Sequence, residues 1–300
     1  MNIKAPRLRR EDRIGIIAPA GPVTQEHLQP EIDLLKTKGY SVTLSPYLYR
    51  KEQYLAGDDD LRLQDLHLMF QDKEIKAVLC ARGGYGSLRL LDKIDYGLIK
   101  KNPKIIVGYS DITALLLAIY KKTGLITFHG PVVREFSGNR GTNLNSLFDL
   151  VSSSKHFELQ LSGGEVLAEG TARGVLLGGN LSLITHLTGT PFMPSLAGAI
   201  LFIEEKGEPL YRIDRMLTHL KLSGVIDHIA GLVAGQFVDC GEMEDINRLL
   251  IDIVPGDKKP VFSGLPVGHG NVNKTLPIGL EATLDTGRMC LSIADTCVEN

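Results

Sequence analysis

The chain has 300 residues, of which 43% are hydrophobic and 23% are charged, which is enough apolar material for one large or two medium folded domains. Its formal net charge is −2 and it has no basic block, so it lacks the concentrated cationic face that sequence-independent nucleic-acid binding requires. No stretch approaches the roughly 20 uninterrupted apolar residues of a membrane span, and the N-terminal segment lacks the apolar core of a signal peptide. We therefore expect a cytoplasmic protein that binds neither nucleic acid nor membrane.

The four cysteines are scattered along the chain and show neither the spacing of a metal site nor that of a redox pair. Cys80 lies within an apolar run, where a small buried thiol is common. The sequence also contains no H-E-x-x-H motif and no Cys/His cluster. It therefore predicts reduced thiols, no metal ion and no other cofactor.

Short apolar runs alternate with amphipathic stretches through the first 135 residues. In chain order, the pattern predicts a strand in RIGIIAPAG (13–21), a helix over 25–39, a strand over 40–45 and a helix over 58–72. The next strand runs into a glycine loop in KAVLCARGGYGS (76–87). A sequence that switches regularly between strand and helix patterns is typical of an α/β domain.

The alternation continues with a short helix over 87–93, a strand that ends in GYSD (108–111) and is followed by a helix, and a strand in LITFHGP (125–131). This order predicts a largely parallel sheet flanked by helices. Ligands bind beyond the carboxyl ends of the strands in such sheets. We therefore expect the loops that follow the strands to share one edge of the sheet (18–21, 82–86, 108–111 and 129–131).

The composition changes between residues 137 and 165, where the chain becomes polar and turn-rich and is predicted to be a linker region. Beyond it, short strand-like runs are separated by glycines. One clear helix is predicted over 209–224, with a proline suited to its first turn and a glycine past its end. The sequence thus predicts an α/β domain over 1–150 and a smaller, strand-rich domain over 165–300.

The stretch GYSD places the hydroxyl of Ser110 where a predicted strand turns sharply into a helix. A serine is a poor nucleophile unless a neighbouring base takes its proton. A tight turn holds the hydroxyl away from the backbone and leaves the amide of Asp111 free, aimed where an oxyanion would form. However, GYSD is not the G-x-S-x-G of the α/β-hydrolases, and capping a helix is the simpler role for Ser110.

Two of the eight histidines lie in glycine-rich turns, His129 in FHGP and His269 in PVGHGN. His129 follows a strand on the same predicted sheet edge as Ser110, whereas flanking glycines leave the imidazole of His269 free. These local features do not choose between the two as a base. A base also needs an orienting carboxylate, and Glu204 and Glu205 at the end of AILFIEE are candidates that are equally compatible with the start of a solvent loop. The other histidines lie in helical or strand patterns or in the linker region (His27, His67, His156, His186, His219 and His228).

Six segments together resemble the LD-carboxypeptidases, the muramoyltetrapeptide carboxypeptidase family of serine peptidases: ARGGYGSLRLL, GYSDITALL, FHGP, LLGGNLSLI, LFIEEKGEPLYRIDRML and GLPVGHG. They occur in the right order through nearly the whole chain. The resemblance implies a Ser–Glu–His triad with Ser110 as the nucleophile, Glu204 as the carboxylate and His269 as the base. It is this resemblance that favours His269 over His129.

The resemblance also implies an oxyanion hole formed by the amides of Asp111 and Gly84. The implied reaction is hydrolysis of the bond between an L-centre and the terminal D-alanine of a murein tetrapeptide, through an acyl-enzyme, in cell-wall recycling. Family members are similar in being cytoplasmic homodimers that need no metal and assemble the triad across two domains. Five further side chains are candidates for substrate binding (Arg82, Tyr85, His129, Tyr211 and Arg212).

Two alternatives compete with this interpretation. The microcin-immunity type of serine peptidase is similar in triad and fold but cleaves peptidyl or aminoacyl nucleotides; the segment EKGEPLYRIDR looks more like the murein-directed branch. The other alternative is a non-catalytic ligand-binding protein of the Rossmann type. Against it, GGYGSLRLL lacks the third glycine of G-x-G-x-x-G, and GHGNVNKT has Asn273 before Lys274 where a phosphate loop has glycine.

Overall fold

The computed structural model describes residues 2–137, 141–153, 156–254 and 259–299. Nine α-helices lie within these ranges: α1 (Gln25–Thr37), α2 (Asp59–Gln71), α3 (Tyr96–Lys101), α4 (Thr113–Thr123), α5 (Thr142–Val151), α6 (Leu181–Leu187), α7 (Leu210–Leu222), α8 (Val225–His228) and α9 (Met243–Ile253). Within the four described ranges, none of these helices combines the length and the apolar composition that crossing a bilayer requires.

The same ranges contain fourteen β-strands, which form two sheets. In chain order the strands are β1 (Arg13–Ile17), β2 (Ser41–Leu44), β3 (Ile75–Cys80), β4 (Ile105–Gly108), β5 (Thr127–His129), β6 (Phe157–Gln160), β7 (Glu165–Ala168), β8 (Thr171–Asn180), β9 (Ile200–Lys206), β10 (Gly231–Val238), β11 (Val261–Ser263), β12 (Leu276–Ile278), β13 (Glu281–Asp285) and β14 (Cys290–Ile293).

The first sheet has the strand order β12-β5-β4-β3-β1-β2. Strands β1 to β5 are parallel to their neighbours, and only β12 runs antiparallel, against β5. Strand β4 is buried along its whole length, as expected for a parallel strand covered by helices on both faces. The predicted α/β class with a largely parallel N-terminal sheet is confirmed.

The second sheet has the strand order β6-β14-β13-β8-β9-β10-β11-β7. Its four central strands, β8 to β11, are parallel to each other, and the flanking strands are antiparallel. The strand-rich second half is therefore confirmed. The structure adds helices α6, α8 and α9 to the one helix expected there. Helix α9 buries Ile246, Leu250 and Ile253, a spacing that matches one face of a helix.

The range 137–165, predicted as a linker region, contains helix α5 and strand β6, while residues 138–140 and 154–155 of that range lie outside the described residues. Strand β6 pairs with β14 at the edge of the second sheet. Strand β12, from the C-terminal part of the chain, joins the first sheet through β5. The predicted domain boundaries stay a prediction.

Helix α4 lies between the two sheets. Its residues from Thr113 to Ile119 are all fully buried, because α4 packs against β4 and β5 on one side and against β8 and α6 on the other. A helix that is apolar all round is a buried helix. At its first turn, Thr113 Oγ1 accepts a hydrogen bond from the backbone N–H of Asn180 at 3.1 Å. The segment that precedes α4, which includes Ser110, therefore lies where the two sheets meet.

Candidate active site

The Ser110 turn joins β4 to α4. Ser110 has a backbone φ of +62°, in the left-handed region that residues other than glycine occupy at a cost of roughly 1–3 kcal/mol. Its side chain caps neither the short 3₁₀ helix Ser110–Ile112 nor α4. Among the described residues the partly exposed hydroxyl has no hydrogen-bond partner. The simpler interpretation, a helix cap, is therefore not what this turn displays.

The glycine loop after β3 packs directly on this turn. A Cβ atom on Gly83 would lie 2.9 Å from Ser110 Cβ and 3.1 Å from Ser110 Oγ, so any side chain at position 83 would collide with the hydroxyl. Gly84 follows with a φ of +121°, a conformation that favours glycine. Position 83 therefore requires glycine because the loop approaches the serine closely, and position 84 requires it because of its positive φ and its contact with Gly21.

Two backbone N–H groups are available beside the hydroxyl. The amide of Asp111 follows the serine directly, and that of Gly84 lies in the loop that packs on it. In the part of the chain that the structure describes, neither N–H donates to a protein acceptor. Free N–H groups aimed at one point are what an oxyanion requires. Both predicted donors are thus available, and their role as an oxyanion hole stays a prediction.

Two buried charged side chains brace the glycine loop. The carboxylate of Asp111 accepts a hydrogen bond from the backbone N–H of Ser87 at 2.8 Å, and burial raises the pKa of this carboxyl. Arg62, fully buried on α2, donates to the carbonyl oxygens of Gly86 at 3.1 Å and Pro19 at 2.5 Å. The sequence analysis did not identify Arg62, since one arginine within a helical pattern ordinarily faces solvent.

Glu204 on β9 and His269 form a hydrogen-bonded pair, with 2.6 Å between Glu204 Oε2 and His269 Nδ1. The carboxylate is completely buried, and 13% of the imidazole side chain is exposed. Gly268 makes the contact possible, because its φ is +114° and a Cβ there would lie 2.6 Å from Glu204 Oε2. A buried carboxylate on Nδ1 fixes the orientation of an imidazole and favours its protonated form.

Burial and charge act in opposite directions on the pKa of His269. Burial lowers it, but the hydrogen bond to Glu204 and the charges of Glu204, Glu205 and Glu135 outweigh burial and raise the pKa above its ordinary value. Burial raises the pKa of Glu204, and the hydrogen bond from His269 offsets part of that rise. The imidazole is therefore a stronger base than a free histidine side chain.

The adjacent residue Glu205 has a different role from Glu204. Successive side chains on a strand point to opposite faces, and the carboxylate of Glu205 accepts hydrogen bonds from Asn180 Nδ2 at 2.7 Å and from the backbone N–H of Ser182 at 2.8 Å. It thereby ties β9 to the start of α6. Of the two carboxylates left open by the local sequence, only Glu204 contacts a histidine among the described residues.

Amide side chains that the sequence analysis did not identify as functional hold the His269 turn in place. Asn273 and Gln236 accept hydrogen bonds from the backbone N–H groups on either side of His269, at 3.0 and 2.9 Å. The N–H of Asn273 in turn donates to Asn143 Oδ1 on α5 at 2.9 Å. Asn273, which disqualifies GHGNVNKT as a phosphate loop, therefore anchors the turn that carries the imidazole.

Tyr109 brings the imidazole of His269 next to the serine turn. The ring of Tyr109 lies 4.8 Å from that of His269 and 5.9 Å from that of His129, between centroids. Its hydroxyl donates to Glu135 Oε1 at 2.8 Å, which fixes the ring. No hydrogen bond joins Ser110 to His269 within the described ranges, and such bonds are often long before substrate binds.

His129 also contacts the ring of Tyr109 and is completely buried. Its ring packs edge-on against Phe202, with 5.1 Å between centroids, and neither ring nitrogen has a hydrogen-bond partner among the described residues. Burial, together with the nearby charge of His269, lowers the pKa of His129 to about 3. The side chain therefore has no exposed surface with which to contact a substrate in this structure, contrary to its expected place in the pocket.

The remaining candidate side chains fall in two places. Arg82 and Tyr85 belong to the glycine loop; Arg82 Nη1 donates to the carbonyl of Pro22 at 3.0 Å, and Tyr85 is half exposed. Tyr211 and Arg212 lie on α7, where Arg212 forms an exposed ion pair with a glutamate one turn earlier. In the described part of the chain neither α7 residue contacts Ser110 or His269.

The four described ranges contain no group of three or more His, Cys, Asp or Glu side chains arranged to hold a metal ion. What they bring together is a partly exposed hydroxyl on a strained turn, two free amides and an imidazole polarised by a buried carboxylate. This combination of groups can perform nucleophilic acyl transfer.

Known proteins resemble this chain along almost all of its length. Residues 14–130 match the model of the LD-carboxypeptidase N-terminal domain, and residues 173–284 match that of the C-terminal domain. The probable murein peptide carboxypeptidase of Bacillus subtilis is 39% identical, over 95% of this chain and 92% of that protein.

Two solved structures have the same fold. The muramoyltetrapeptide carboxypeptidase of Oxalobacter formigenes is 32% identical with a TM-score of 0.84, over 94% of this chain and 99% of that one. The microcin self-immunity protein MccF in complex with glutamyl sulfamoyl guanosine is 26% identical with a TM-score of 0.92, over 99% of both chains. Both halves of the chain match in order, and so the chain belongs to the LD-carboxypeptidase family of hydrolases.

Proposed function

We propose that the chain is a serine carboxypeptidase that hydrolyses the bond between an L-centre and the terminal D-alanine of murein tetrapeptides, leaving the tripeptide. The observation that carries the proposal is the 2.6 Å contact between His269 Nδ1 and the buried Glu204, beside the turn that presents Ser110. The names of relatives as murein peptide and muramoyltetrapeptide carboxypeptidases support the substrate class. As a member of a hydrolase family, the chain is not assigned to the non-catalytic Rossmann-type alternative.

The first half of the proposed reaction forms an acyl-enzyme. Because Nδ1 of His269 donates to Glu204, Nε2 is the nitrogen that accepts the Ser110 proton. Ser110 Oγ attacks the carbonyl carbon of the L-centre, and the amides of Asp111 and Gly84 stabilise the oxyanion. His269 then gives its proton to the amine of D-alanine, the C–N bond breaks and D-alanine leaves.

The second half releases the product. His269 removes a proton from a water molecule, which attacks the ester carbon of the acyl-enzyme. The tetrahedral intermediate collapses, the Ser110 oxygen takes back the proton from Nε2, and the tripeptide leaves with a free carboxylate. No step needs a group beyond these side chains and amides. The proposal also includes two properties that the family resemblance implies, which are action in the cytoplasm and assembly as a homodimer.

The fold is compatible with a second substrate class, because a microcin self-immunity structure superposes as well as the murein enzyme does. Sequence identity favours the murein branch, at 39% and 32% against 26–30% for proteins named MccF or MccF-like. Both substrate classes present an acyl carbon to the same hydroxyl. The difference lies in the leaving group, which is an amino acid in one case and a nucleotide-bearing group in the other.

Mass spectrometry of a murein tetrapeptide incubated with the purified protein tests the proposal. We expect the tetrapeptide to lose one alanine residue and the tripeptide to appear. With the Ser110→Ala variant, the tetrapeptide should remain intact. A tetrapeptide that ends in L-alanine is the matched control and should remain intact. An aminoacyl sulfamoyl nucleotide is incubated in parallel. Cleavage of the nucleotide alone would overturn the murein assignment, and equal turnover by Ser110→Ala would overturn the mechanism.

A further inference from the structure

A cavity of about 620 Å³ opens next to the glycine loop and is lined by residues from three loops and the start of α1. Four of its lining side chains carry or can carry positive charge: His27, Lys51, Arg82 and Arg134. No aspartate or glutamate is among the described residues that line it. Apart from Tyr49, the ionisable side chains among these lining residues are therefore all basic, although the chain as a whole has a net charge of −2.

Neither arginine of this cavity forms an ion pair with a described carboxylate, although the charge of Arg134 offsets part of the rise that burial causes in the pKa of the neighbouring Glu135. Burial and the positive charge of Arg134 lower the pKa of Arg82, which shows that the two guanidinium groups repel each other. Within the described ranges neither makes an ion pair, whereas Arg62 and Arg89 both contact Asp59. Two like charges held close together are stabilised when an anion binds between them.

The cavity adjoins the glycine loop that packs on the candidate nucleophile, because Arg82 belongs to both. Arg82 directly precedes Gly83, whose backbone packs on Ser110. Arg82 Nε and the Cα of Gly84 both lie 3.5 Å from the position that a Cβ on Gly21 would occupy. The guanidinium of Arg82 is therefore a close neighbour of the loop that carries the candidate oxyanion donor.

From this placement we infer that the cavity binds the C-terminal carboxylate of the peptide, with Arg82 and Arg134 as the residues that recognise it; the inference rests on the proposed carboxypeptidase function. In a substrate cleaved one residue from its end, standard bond lengths place the terminal carboxyl carbon within about 4 Å of the scissile carbonyl carbon. A carboxylate site must therefore adjoin the nucleophile. The planar fork of a guanidinium matches both carboxylate oxygens, and the cavity has room for the D-alanine that leaves.

Kinetics with two tetrapeptides test this assignment, one ending in D-alanine and one in D-alaninamide. The amide keeps the scissile bond and removes only the terminal charge. We expect the wild type to prefer the acid in kcat/KM. Arg134→Gln should lower kcat/KM for the acid about 10- to 100-fold, the usual effect of losing a charge-assisted hydrogen bond, and leave that for the amide nearly unchanged. Arg134→Lys should restore part of the preference, since it keeps the charge without the fork.

The exposed Arg248→Gln on α9 removes the same charge far from the loop and is the matched control; its acid-to-amide ratio should equal that of the wild type. Arg82→Gln should behave like Arg134→Gln, and the melting temperature shows whether its loop still folds. An unchanged ratio in both cavity variants would overturn the inference while tetrapeptide cleavage keeps the proposed function intact. The third residue of the peptide carries its own side-chain carboxylate when it is diaminopimelate and none when it is lysine. If the effect of the arginine variants depended on that carboxylate and not on the terminal one, the inference would also be overturned. Failure of the wild type to cleave either peptide would remove both the function and the inference.

Discussion

The two glycine-rich histidine turns, FHGP and GHG, look alike in sequence and differ in almost every physical respect in the fold. His129 is completely buried, and neither of its ring nitrogens has a partner among the described residues. His269 is partly exposed and bonded to a buried carboxylate. The surroundings lower the pKa of His129 to about 3 and raise the pKa of His269. One imidazole is kept neutral, whereas the other is prepared to accept a proton.

The difference shows what decides the role of a histidine. Local flexibility from glycine is common to both turns, but a base needs access to a substrate and a carboxylate that stabilises its charged form. His269 has both because β9 delivers Glu204 to the turn. His129 has neither, because its ring is buried against Phe202 and no described carboxylate bonds to it. Both rings nevertheless pack on the same tyrosine, Tyr109.

The largest loss of activity is expected from removing the hydroxyl of Ser110, for which both histidines are candidate bases. Ser110→Ala deletes one oxygen that makes no hydrogen bond in the described part of the chain, so the fold should be unaffected. Loss of a triad nucleophile lowers kcat by roughly 10⁶-fold. Single-turnover assays on the tetrapeptide, with circular dichroism as the folding control, measure it. Activity within tenfold of wild type would mean that neither histidine activates this hydroxyl.

Replacing the active histidine should be nearly as severe. His269→Ala removes the base and leaves the hydroxyl protonated, so kcat should fall by roughly 10⁵- to 10⁶-fold. The side chain is on the rim of the core and its turn is held by Asn273 and Gln236, so the melting temperature should change little. Partial rescue by added imidazole would support loss of a base. A variant that keeps ordinary turnover would reverse the ranking of the two histidines.

The two neighbouring glutamates provide a matched pair for the next test. Glu204→Gln keeps the shape of the side chain and removes the negative charge that faces His269 Nδ1. We therefore expect kcat to fall by roughly 10⁴-fold. Glu205→Gln should retain activity within about tenfold and instead lose stability, because Glu205 ties Asn180 and Ser182 to β9. Kinetics and thermal unfolding of both variants are compared. Similar kinetic losses in the two variants would contradict the separate roles.

The sequence predicts the first sheet well because its physical cause is local. Parallel strands covered on both faces must be continuous apolar runs, and β3 and β4 have that pattern. The sequence does not predict helices whose apolar pattern is short or merges with that of a neighbouring strand. Helix α6 has only seven residues and follows β8 directly, so the apolar run LLGGNLSLI does not separate into strand and helix. Helix α9 has helical spacing, but polar residues surround it in a half that is otherwise rich in strands.

The candidate site also has parts that the local sequence predicts and parts that it does not. Ser110 and the amide of Asp111 follow from a strand-to-helix turn within a few residues. The pairing of Glu204 with His269 joins positions 65 residues apart, and no spacing rule predicts which strand end meets which turn. Only the family resemblance selected that pair over His129. The sequence does not predict the roles of Tyr109 and Arg62, because those roles depend on the residues that the two side chains contact after folding.

Replacing the buried histidine should affect the fold and leave the chemistry nearly unchanged. His129→Ala opens a cavity beside Tyr109 and Phe202, which should destabilise the protein by about 2–5 kcal/mol, the range for truncating a large buried side chain. The folded fraction should keep kcat within about tenfold. Denaturant unfolding and active-site-normalised kinetics separate the two effects. A loss of kcat as large as that of His269→Ala, at full foldedness, would make His129 a catalytic group.

The smallest expected effect is a displacement of the pH profile. His269 accepts a proton only when it is neutral, and its pKa is raised above the ordinary value of 6.5. The value of kcat/KM should therefore fall, as pH decreases, through an apparent pKa above 6.5, which reports the free enzyme.

In Glu204→Gln this acidic limb of the profile should move to lower pH, since the main group that favours the imidazolium is lost. Glu205→Gln and Glu135→Gln, whose carboxylates act from farther away, should move it less. Burial lowers the pKa of His129 to about 3, so this side chain is neutral across the limb, and His129→Ala should leave the limb in place. A limb at or below 6.5 in the wild type, or one that stays in place in Glu204→Gln, would show that the buried carboxylate does not control the base.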